Sequence, residues 1–200
     1  MDSGVWYRFS VKVRDSGMPD EPLWESFFEP PEVLRLLAFP SVGDVVDFGC
    51  GYGTFTLAAA RLTIGTVYGI DIDPEMVRVT AARAQEAALH NVRAFERDFV
   101  GAGSGLPPQT CRYAMLFNIL HAEDPLRLLK AAYEVLSPGG LVAVTHWVAD
   151  PCTPRGPALE IRPTPPQCQE WMKAAGFDLP SLVVPLPPYH FGLVGLRPAA

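Results

Sequence analysis

The middle of the chain alternates short apolar runs with longer stretches that have a helical pattern. The apolar runs predict five buried strands, over Val45–Phe48, Thr66–Ile70, Val92–Glu96, Tyr113–Asn118 and Leu141–Trp147. The stretches between them predict helices over Thr54–Arg61, Pro74–Leu89 and Pro125–Leu136. Strands that alternate with helices predict an α/β domain whose parallel sheet is covered on both faces. Because crossovers between parallel strands are right-handed, we expect a doubly wound sheet.

The two ends of the chain have a less regular pattern. Residues 1–30 are rich in aromatic side chains and predict an irregular segment, followed by a short helix over Pro30–Leu37. Residues 100–112 predict a loop, because this stretch contains several glycines and prolines. Beyond the fifth strand the pattern predicts a proline-rich loop, a helix and two strands, over residues 148–165, 166–175, 182–186 and 191–196. The residues between these two strands, 187–190, predict a hairpin connection.

Composition narrows the class of protein. The chain has 200 residues, of which 48% are hydrophobic and 19% charged, and this balance favours one domain with a packed core. Its net charge of −6 repels phosphate, so nucleic acid is not an expected partner.

Three further features indicate the cellular compartment of the protein. The first residues, 1–4, lack the pattern of a secretory signal. The longest uncharged run, Leu179–Leu196, contains several prolines and glycines, so a membrane helix is not expected. The four cysteines form no CxxC pair, which is typical of a reduced compartment. We therefore expect a cytoplasmic protein that does not associate with membranes.

A glycine-rich turn connects the first predicted strand to the helix that follows it. Gly49, Gly51 and Gly53 would let a ligand approach the backbone closely, and the helix N-terminus supplies free N–H groups. Asp71 comes at the end of the next strand, where a carboxylate can accept bonds from two ribose hydroxyls. These features together predict a nucleotide-binding site.

Two details favour S-adenosylmethionine (SAM) over NAD as the ligand. The dinucleotide fingerprint needs Gly or Ala at its sixth position, where this chain has Thr54. Asp47 lies just before the first glycine, and a carboxylate there suits an ammonium group better than a pyrophosphate. An NAD-dependent oxidoreductase stays open as an alternative.

Five motifs, in order between residues 44 and 147, resemble those of the class I SAM-dependent methyltransferases. They are Val45–Gly53, Gly69–Met76, Asn91–Phe99, Leu116–His121 and Leu136–Leu141. The fourth is similar to that of the small-molecule, ubiquinone-methyltransferase-like branch. The resemblance implies one Rossmann-like domain over residues 1–200, with a doubly wound seven-stranded sheet whose last strand is antiparallel. Residues 44–147 would be its SAM-binding core, 1–37 a lid and helix segment, and 148–200 the acceptor-side loop, helix and hairpin.

The resemblance also implies which residues hold SAM, whose product is S-adenosylhomocysteine. The family's binding positions correspond to Asp47, Gly49, Gly51, Gly53, Asp71, Ile72, Asp98, Phe99 and Asn118. Asp47 would hold the methionyl end, Asp71 would bind the ribose, and Asp98 would accept from the adenine amino group. Ile72 would pack on the adenine, and Asn118 would lie beside the methyl donor.

The methyl acceptor is expected beyond the carboxyl ends of the strands, where several polar residues fall. His121 follows the fourth predicted strand, His146 ends the fifth, and Tyr189 and His190 lie in the last connection. An imidazole that titrates near neutrality suits proton removal. His146 and His190 are therefore candidates for a catalytic base or an orienting group, with Tyr189 beside them. No metal site is expected, because the His and Cys spacings form no local pair.

These features predict a SAM-dependent methyltransferase that acts on a small molecule, as a monomer or homodimer. Two alternatives stay open within the same fold. One is methylation of a protein or peptide, and the other is a SAM-binding module without catalytic activity.

Overall fold

The computed structural model describes residues 21–179 and 182–199 of the chain. The predicted lid and helix segment, residues 1–37, therefore lies mostly outside the described residues. Its described part contains two short helices, α1 (Glu21–Glu25) and α2 (Pro30–Leu36). Within the described residues, no helix is both long enough and apolar enough to cross a membrane.

Seven strands form one sheet in the order β3-β2-β1-β4-β5-β7-β6. They are β1 (Val45–Phe48), β2 (Val67–Asp71), β3 (Val92–Glu96), β4 (Cys111–Phe117), β5 (Leu136–Trp147), β6 (Val184–Leu186) and β7 (His190–Leu196). The pairs from β3 to β5 are parallel, whereas β7 is antiparallel to both β5 and β6. The prediction of a doubly wound, seven-stranded α/β sheet with an antiparallel last strand is therefore confirmed.

Helices connect the parallel strands and cover both faces of the sheet. The described helices after β1 are α3 (Thr54–Leu62), α4 (Pro74–Glu86), α5 (Phe99–Ala102), α6 (Pro125–Val135) and α7 (Pro165–Ala174). Asp73 caps α4 by accepting from the N–H of Glu75 at 2.8 Å, and Asp124 caps α6 by accepting from the N–H of Arg127 at 2.9 Å. Each cap is followed by a proline at the first helical position, which explains why both helices start where predicted.

Side chains of the central strands alternate between two apolar cores, one on each face of the sheet. Val46 and Leu116 belong to the core that also contains residues of α6 and α7. Their neighbours Val45 and Met115 belong to the core that contains residues of α2 and α3. Adjacent residues of one strand therefore point to opposite faces, and this holds at the strand ends as well.

The connections on either side of β4 differ from the prediction. The predicted loop over residues 100–112 begins with α5, because Asp98 caps this short helix. Residues 137–140, which separate the helix predicted over Pro125–Leu136 from the strand predicted over Leu141–Trp147, are part of β5. Leu136 already pairs with Cys111, ahead of an irregularity in β4. Pairing with a distant strand overrides the turn preference of Ser-Pro-Gly-Gly here.

The connection of the final hairpin is one residue shorter than predicted. His190 was expected in the turn, but it is the first residue of β7 and pairs with Trp147 of β5. Tyr189 stays in the connection, and its carbonyl accepts from the N–H of Val148 at 2.8 Å. The hairpin therefore ends level with the carboxyl end of β5.

Candidate functional site

A cavity of about 600 Å³ lies at the carboxyl ends of the parallel strands. Ligands bind there in doubly wound sheets, next to the point where the strand order reverses, which in this sheet lies between β1 and β4. One side, the carboxylate end, is lined by Asp47, Gly49, Gly51, Asp71, Ile72, Asp98 and Phe99. The other side, the aromatic end, is lined by Trp24, Phe55, Phe117, His121, Trp147, Gly156 and Pro157. The cavity volume is within the roughly 300–1,000 Å³ of small-molecule sites.

The turn between β1 and α3 lies directly against the carboxylate end. The N–H groups of Gly49 and Cys50 both donate to the carbonyl of Ile70, at 2.7 and 3.0 Å, and hold the turn on β2. Gly49 has a φ of +75°, and a Cβ there would lie 3.0 Å from Cγ2 of Ile119. Both constraints favour glycine, and the missing side chain leaves space for a ligand beside the strand end.

Gly53 has a different place from the other two glycines of the turn. It precedes α3 with a φ of +82°, and it is not among the residues that line the cavity. A Cβ at this position would lie 2.9 Å from side-chain atoms of Leu57 and Thr80. Gly53 therefore allows α3 to pack closely on α4, and its predicted contact with SAM stays a prediction.

Asp71, the last residue of β2, is buried and accepts two backbone hydrogen bonds. The N–H of Gly51 donates to Oδ2 at 2.9 Å, and the N–H of Asp73 donates to Oδ1 at 3.0 Å. Burial raises the pKa of Asp71, and these two N–H groups oppose that shift. A carboxylate offers about four acceptor positions, so each oxygen can still accept a bond from a ligand in the cavity.

Asp47 is a buried carboxylate with one neutral hydrogen-bond donor. The hydroxyl of Thr56 donates to Oδ2 at 2.6 Å. Burial raises the pKa of Asp47 to about 7, and the neighbouring charge of Asp71 adds to the effect. Among the described residues, no Lys or Arg forms an ion pair with Asp47. A cationic ligand group at this point would stabilise the charged form of the carboxylate.

The third carboxylate of this end belongs to Asp98, which follows β3. Its Oδ1 accepts from the N–H of Gly101 at 2.9 Å, which fixes the side chain as the cap of α5. Ile72, which is 37% exposed, and Phe99 add apolar surface to the same end of the cavity. An acceptor beside apolar surface suits a flat heteroaromatic ring that carries an amino group.

Asn118 lines the cavity just after β4, in a conformation that few residues adopt. Its φ is +58°, in the left-handed region that Asn tolerates better than most side chains. Both polar atoms of its side chain are buried without a hydrogen-bond partner among the described residues, as is the hydroxyl of Thr54, which also lines the cavity. Buried polar groups are seldom left unpaired in this way. A ligand that pairs with these atoms therefore fits the cavity.

Two histidines form a hydrogen-bonded pair at the aromatic end. Nδ1 of His121 lies 3.2 Å from Nε2 of His146, and Nδ1 of His146 lies 3.4 Å from the carbonyl oxygen of Trp147. Burial lowers the pKa of His121 to about 4 and that of His146 to about 3. Both imidazoles are therefore neutral at physiological pH. His121 lines the cavity, whereas His146 lies behind it and is fully buried.

The three residues predicted to be catalytic do not line the cavity. His146 faces the core that contains Phe191, its register partner on β7. His190 pairs with the next residue of β5, Trp147, and so points to the opposite face of the sheet. The structure therefore separates two histidines that the sequence placed on one rim, and only His121 presents an imidazole to the cavity.

His190 and Tyr189 are instead part of an aromatic layer under the aromatic end. The ring centroid of His190 lies 4.5 Å from that of Phe28 and 4.2 Å from that of Trp147. Burial lowers the pKa of His190 to about 3, and neither ring nitrogen has a partner among the described residues. The ring of Tyr189 stacks on that of Trp147 with a centroid distance of 6.2 Å. These contacts hold Trp147 in place, and a catalytic role for His146, His190 or Tyr189 stays a prediction.

The loop after β5 forms a wall of the aromatic end, and Arg162 holds this loop. The guanidinium of Arg162 donates to the carbonyls of Pro157 and Arg155, at 2.7 and 2.9 Å. It also lies 5.8 Å from the ring centroid of Trp147. Since Gly156 and Pro157 line the cavity, the position of this wall depends on a single buried cation.

Metal ligands are not clustered in the described part of the chain. No group of three or more His, Cys, Asp or Glu side chains there is arranged to hold a metal ion. Cys50 lines the cavity, but burial raises the pKa of its thiol, and Cys152 is exposed.

Most of the residues that line the aromatic end could not be identified from the sequence. The alternation of side chains in a strand could have separated Trp147 from His146, because only one of two neighbours can face a given side. Phe55 comes from α3, and no local pattern connects it to the strand ends, because its position depends on how the helices pack. Trp24 comes from α1, within the segment 1–37 that is predicted as a lid and helix segment.

Part of the chain is similar in sequence to known methyltransferases. Residues 45–140 match the family model described as a methyltransferase domain. The chain is 37% identical over 102 residues to a ribosomal protein L11 methyltransferase of Dechloromonas aromatica (strain RCB), covering 50% of this chain and 31% of that protein. It is 27% identical over 115 residues to a demethylmenaquinone methyltransferase of Listeria welshimeri, covering 56% of this chain and 48% of that protein. The chain thus spans less than half the length of both relatives.

A solved structure has the same fold over a larger part of the chain. A SAM-dependent methyltransferase from Aquifex aeolicus has a TM-score of 0.79 and 23% identity, covering 94% of this chain and 98% of that one. This likeness shows the fold. The match over residues 45–140, together with the sheet order and the position of the cavity, identifies a methyltransferase domain in this part of the chain.

Proposed function

We propose that this chain transfers the methyl group of SAM to a small neutral molecule bound at the aromatic end of the cavity. The observation that carries the proposal is the carboxylate end. There Asp47, Asp71 and Asp98 come from three neighbouring strands or the turns after them, around one glycine turn. SAM carries three matching groups, namely an ammonium, two ribose hydroxyls and an adenine amino group. The donor set and the ligand are therefore complementary.

Each carboxylate has a distinct part in this proposal. Asp47 pairs with the ammonium, because it is buried and has no cationic partner among the described residues. Asp71 binds both ribose hydroxyls with the acceptor positions that the N–H groups of Gly51 and Asp73 leave open. Asp98 accepts from the adenine amino group, and Ile72 packs on the ring.

The remaining residues of the cavity position the two substrates for an in-line displacement. Bound SAM supplies a methyl group on a sulfonium sulfur. The unpaired side-chain amide of Asn118 holds a substrate group where the two ends of the cavity meet. The side chains of Trp24, Phe117 and Trp147 exclude water from the acceptor and restrict its orientation.

A small acceptor is favoured by the shape of the aromatic end. It is a walled part of a cavity of about 600 Å³, closed on one side by Gly156 and Pro157. The demethylmenaquinone methyltransferase among the relatives agrees with a small-molecule branch, at 27% identity. Methylation of a protein is the second candidate, because the L11 methyltransferase is 37% identical to this chain. That match covers only 31% of the L11 enzyme, so we favour the small acceptor.

Binding and transfer can be tested separately. Calorimetry with SAM, S-adenosylhomocysteine and NAD is expected to show binding of the first two only, and binding of NAD alone would contradict the proposal. Transfer is then followed with methyl-labelled SAM, a panel of small molecules and purified ribosomal protein L11. We expect label in a small molecule. Label in L11 would favour the second candidate, and binding without transfer to any acceptor would indicate a non-catalytic SAM-binding module.

Replacement of Arg162 tests the wall of the aromatic end. Arg162→Met keeps an apolar stem beside Trp147 but loses the bonds to the carbonyls of Pro157 and Arg155. We expect KM for the methylated small molecule to rise about tenfold, equivalent to ~1.4 kcal/mol, while Kd for SAM stays within a factor of two. Arg155→Met is the matched control, since Arg155 is an exposed residue of the same loop. Equal effects on SAM and acceptor binding would show that Arg162 does not act through the wall.

A further inference from the structure

We propose that His121 and His146 form a proton-accepting pair, and that the acceptor is a neutral apolar molecule methylated on a hydroxyl group. His121 is the catalytic residue in this proposal because it lines the cavity, and His146 is a positioning residue behind it. The inference rests on the proposed function, since it names the acceptor class and the base of the same reaction.

The hydrogen bonds of the pair assign its protons. Nδ1 of His146 faces the carbonyl of Trp147, which can only accept, so this nitrogen carries the proton of His146. Nε2 of the neutral His146 is then an acceptor, and Nδ1 of His121 must donate to it across 3.2 Å. The proton of His121 is thereby placed on Nδ1. Its Nε2 keeps a lone pair, which makes His121 an acceptor toward the cavity.

The surroundings of His121 select the acceptor. At the aromatic end, His121 is the only ionisable side chain among the described residues that line the cavity. The other charged or titratable groups that act on His146 are His190 and Arg162, and Arg162 carries a positive charge behind Trp147. A cationic amine would meet repulsion from this side and no carboxylate at the aromatic end. A neutral, apolar molecule avoids both costs and fits against the tryptophan and phenylalanine side chains.

The proposed reaction combines methyl transfer with proton transfer to His121. The acceptor oxygen forms a bond to the methyl carbon, and the carbon–sulfur bond breaks with its electron pair on sulfur. The hydroxyl proton passes to Nε2 of His121, so the positive charge of the sulfonium is replaced by an imidazolium. His146 stabilises this imidazolium because its Nε2 accepts from Nδ1 of His121. The proton later leaves to solvent, and the neutral pair is restored.

Nitrogen NMR of the histidine rings tests the pair without any acceptor. Spectra of 15N-labelled wild-type protein are expected to show His121 neutral between pH 6 and 8, with Nδ1 protonated and Nε2 unprotonated. His146→Phe removes the hydrogen-bond partner and is expected to give a mixture of both neutral forms of His121. His146→Gln serves if the Phe variant does not fold. A wild-type His121 that is protonated on Nε2 would overturn the proposal.

Kinetics then test the base and the acceptor class. With phenols and apolar alcohols as probes, His121→Asn is expected to lower turnover at saturating SAM by roughly 100-fold or more, with Kd for SAM within a factor of two. His90→Asn is the control, because His90 is exposed and lies away from the cavity lining. Turnover within threefold of wild type in His121→Asn, or methylation of amines but not of hydroxyl compounds, would overturn the proposal. Failure of the wild-type protein to bind SAM would instead contradict the proposed function.

Discussion

Replacement of Asp71 by alanine is expected to lower the affinity for SAM by roughly 10²–10⁴-fold. Two hydrogen bonds from ribose hydroxyls to a carboxylate would be lost, each worth ~1.5–3 kcal/mol. The same change leaves the N–H of Gly51 without its acceptor, which loosens the glycine turn that faces the ligand. Both effects act on the carboxylate end, so calorimetry with SAM measures them together.

Asp73→Ala is the matched control for this prediction. Asp73 also carries a carboxylate near the cavity, but its side chain caps α4 by accepting from Glu75. Its loss is expected to cost ~1 kcal/mol of unfolding free energy and to leave Kd for SAM within about threefold. If Asp71→Ala bound SAM as well as Asp73→Ala did, Asp71 would not be the ribose ligand. Urea unfolding of both variants separates binding from stability.

The affinity for SAM is expected to rise about tenfold between pH 6 and pH 8. Burial raises the pKa of Asp47 to about 7, so most of this carboxyl group is protonated at pH 6 and ionised at pH 8. Only the ionised form pairs with the ammonium of SAM, and each pH unit below the pKa reduces the population of this form by up to about tenfold. Binding near pH 7 should therefore release a proton, which calorimetry in buffers of different ionisation enthalpy detects directly.

Asp47→Asn keeps the shape of the side chain and removes its titration. We expect this variant to bind SAM roughly 100-fold more weakly at pH 8, since a charge-assisted pair in a buried site is lost. Its Kd should not change between pH 6 and pH 8. Wild-type protein whose affinity is independent of pH would show that Asp47 does not pair with the ammonium.

The raised pKa of Asp47 also makes the stability of the fold depend on pH. A carboxyl group whose pKa is raised in the folded state stabilises the fold below its unfolded pKa and loses that contribution as the pH rises toward 7. His121, His146 and His190 have lowered pKa values and act in the opposite direction, since the unfolded chain takes up their protons first as the pH falls below about 6.5. The two effects oppose each other between about pH 4 and pH 7.

The carboxylate end was predictable because its residues follow local rules. Gly49 and Asp71 lie at the ends of neighbouring parallel strands, and the strand, turn and helix pattern places such residues at one edge of the sheet. The cap of α4 by Asp73 is equally local, because the carboxylate accepts from a residue two positions away. These features need only the sequence and the sheet order.

The aromatic end was not predictable in the same way. His146 and His190 both lie near the correct rim, but the register of β5 with β7 turns them to opposite faces. Trp147 reaches the cavity in place of His146, and Trp24 enters from a helix outside the family motifs. Side-chain alternation along β5 indicates that His146 and Trp147 face opposite sides of the sheet. Which of them faces the cavity depends on strand register and helix packing, and these are not encoded in a local pattern.

A crystal structure of the chain with S-adenosylhomocysteine would show the proposed binding mode of the cofactor. We expect the ligand amino group within hydrogen-bond distance of Asp47, both ribose hydroxyls on Asp71, and the sulfur directed toward the aromatic end and His121. A ligand bound outside the carboxylate end, or one whose ribose does not contact Asp71, would contradict this binding mode.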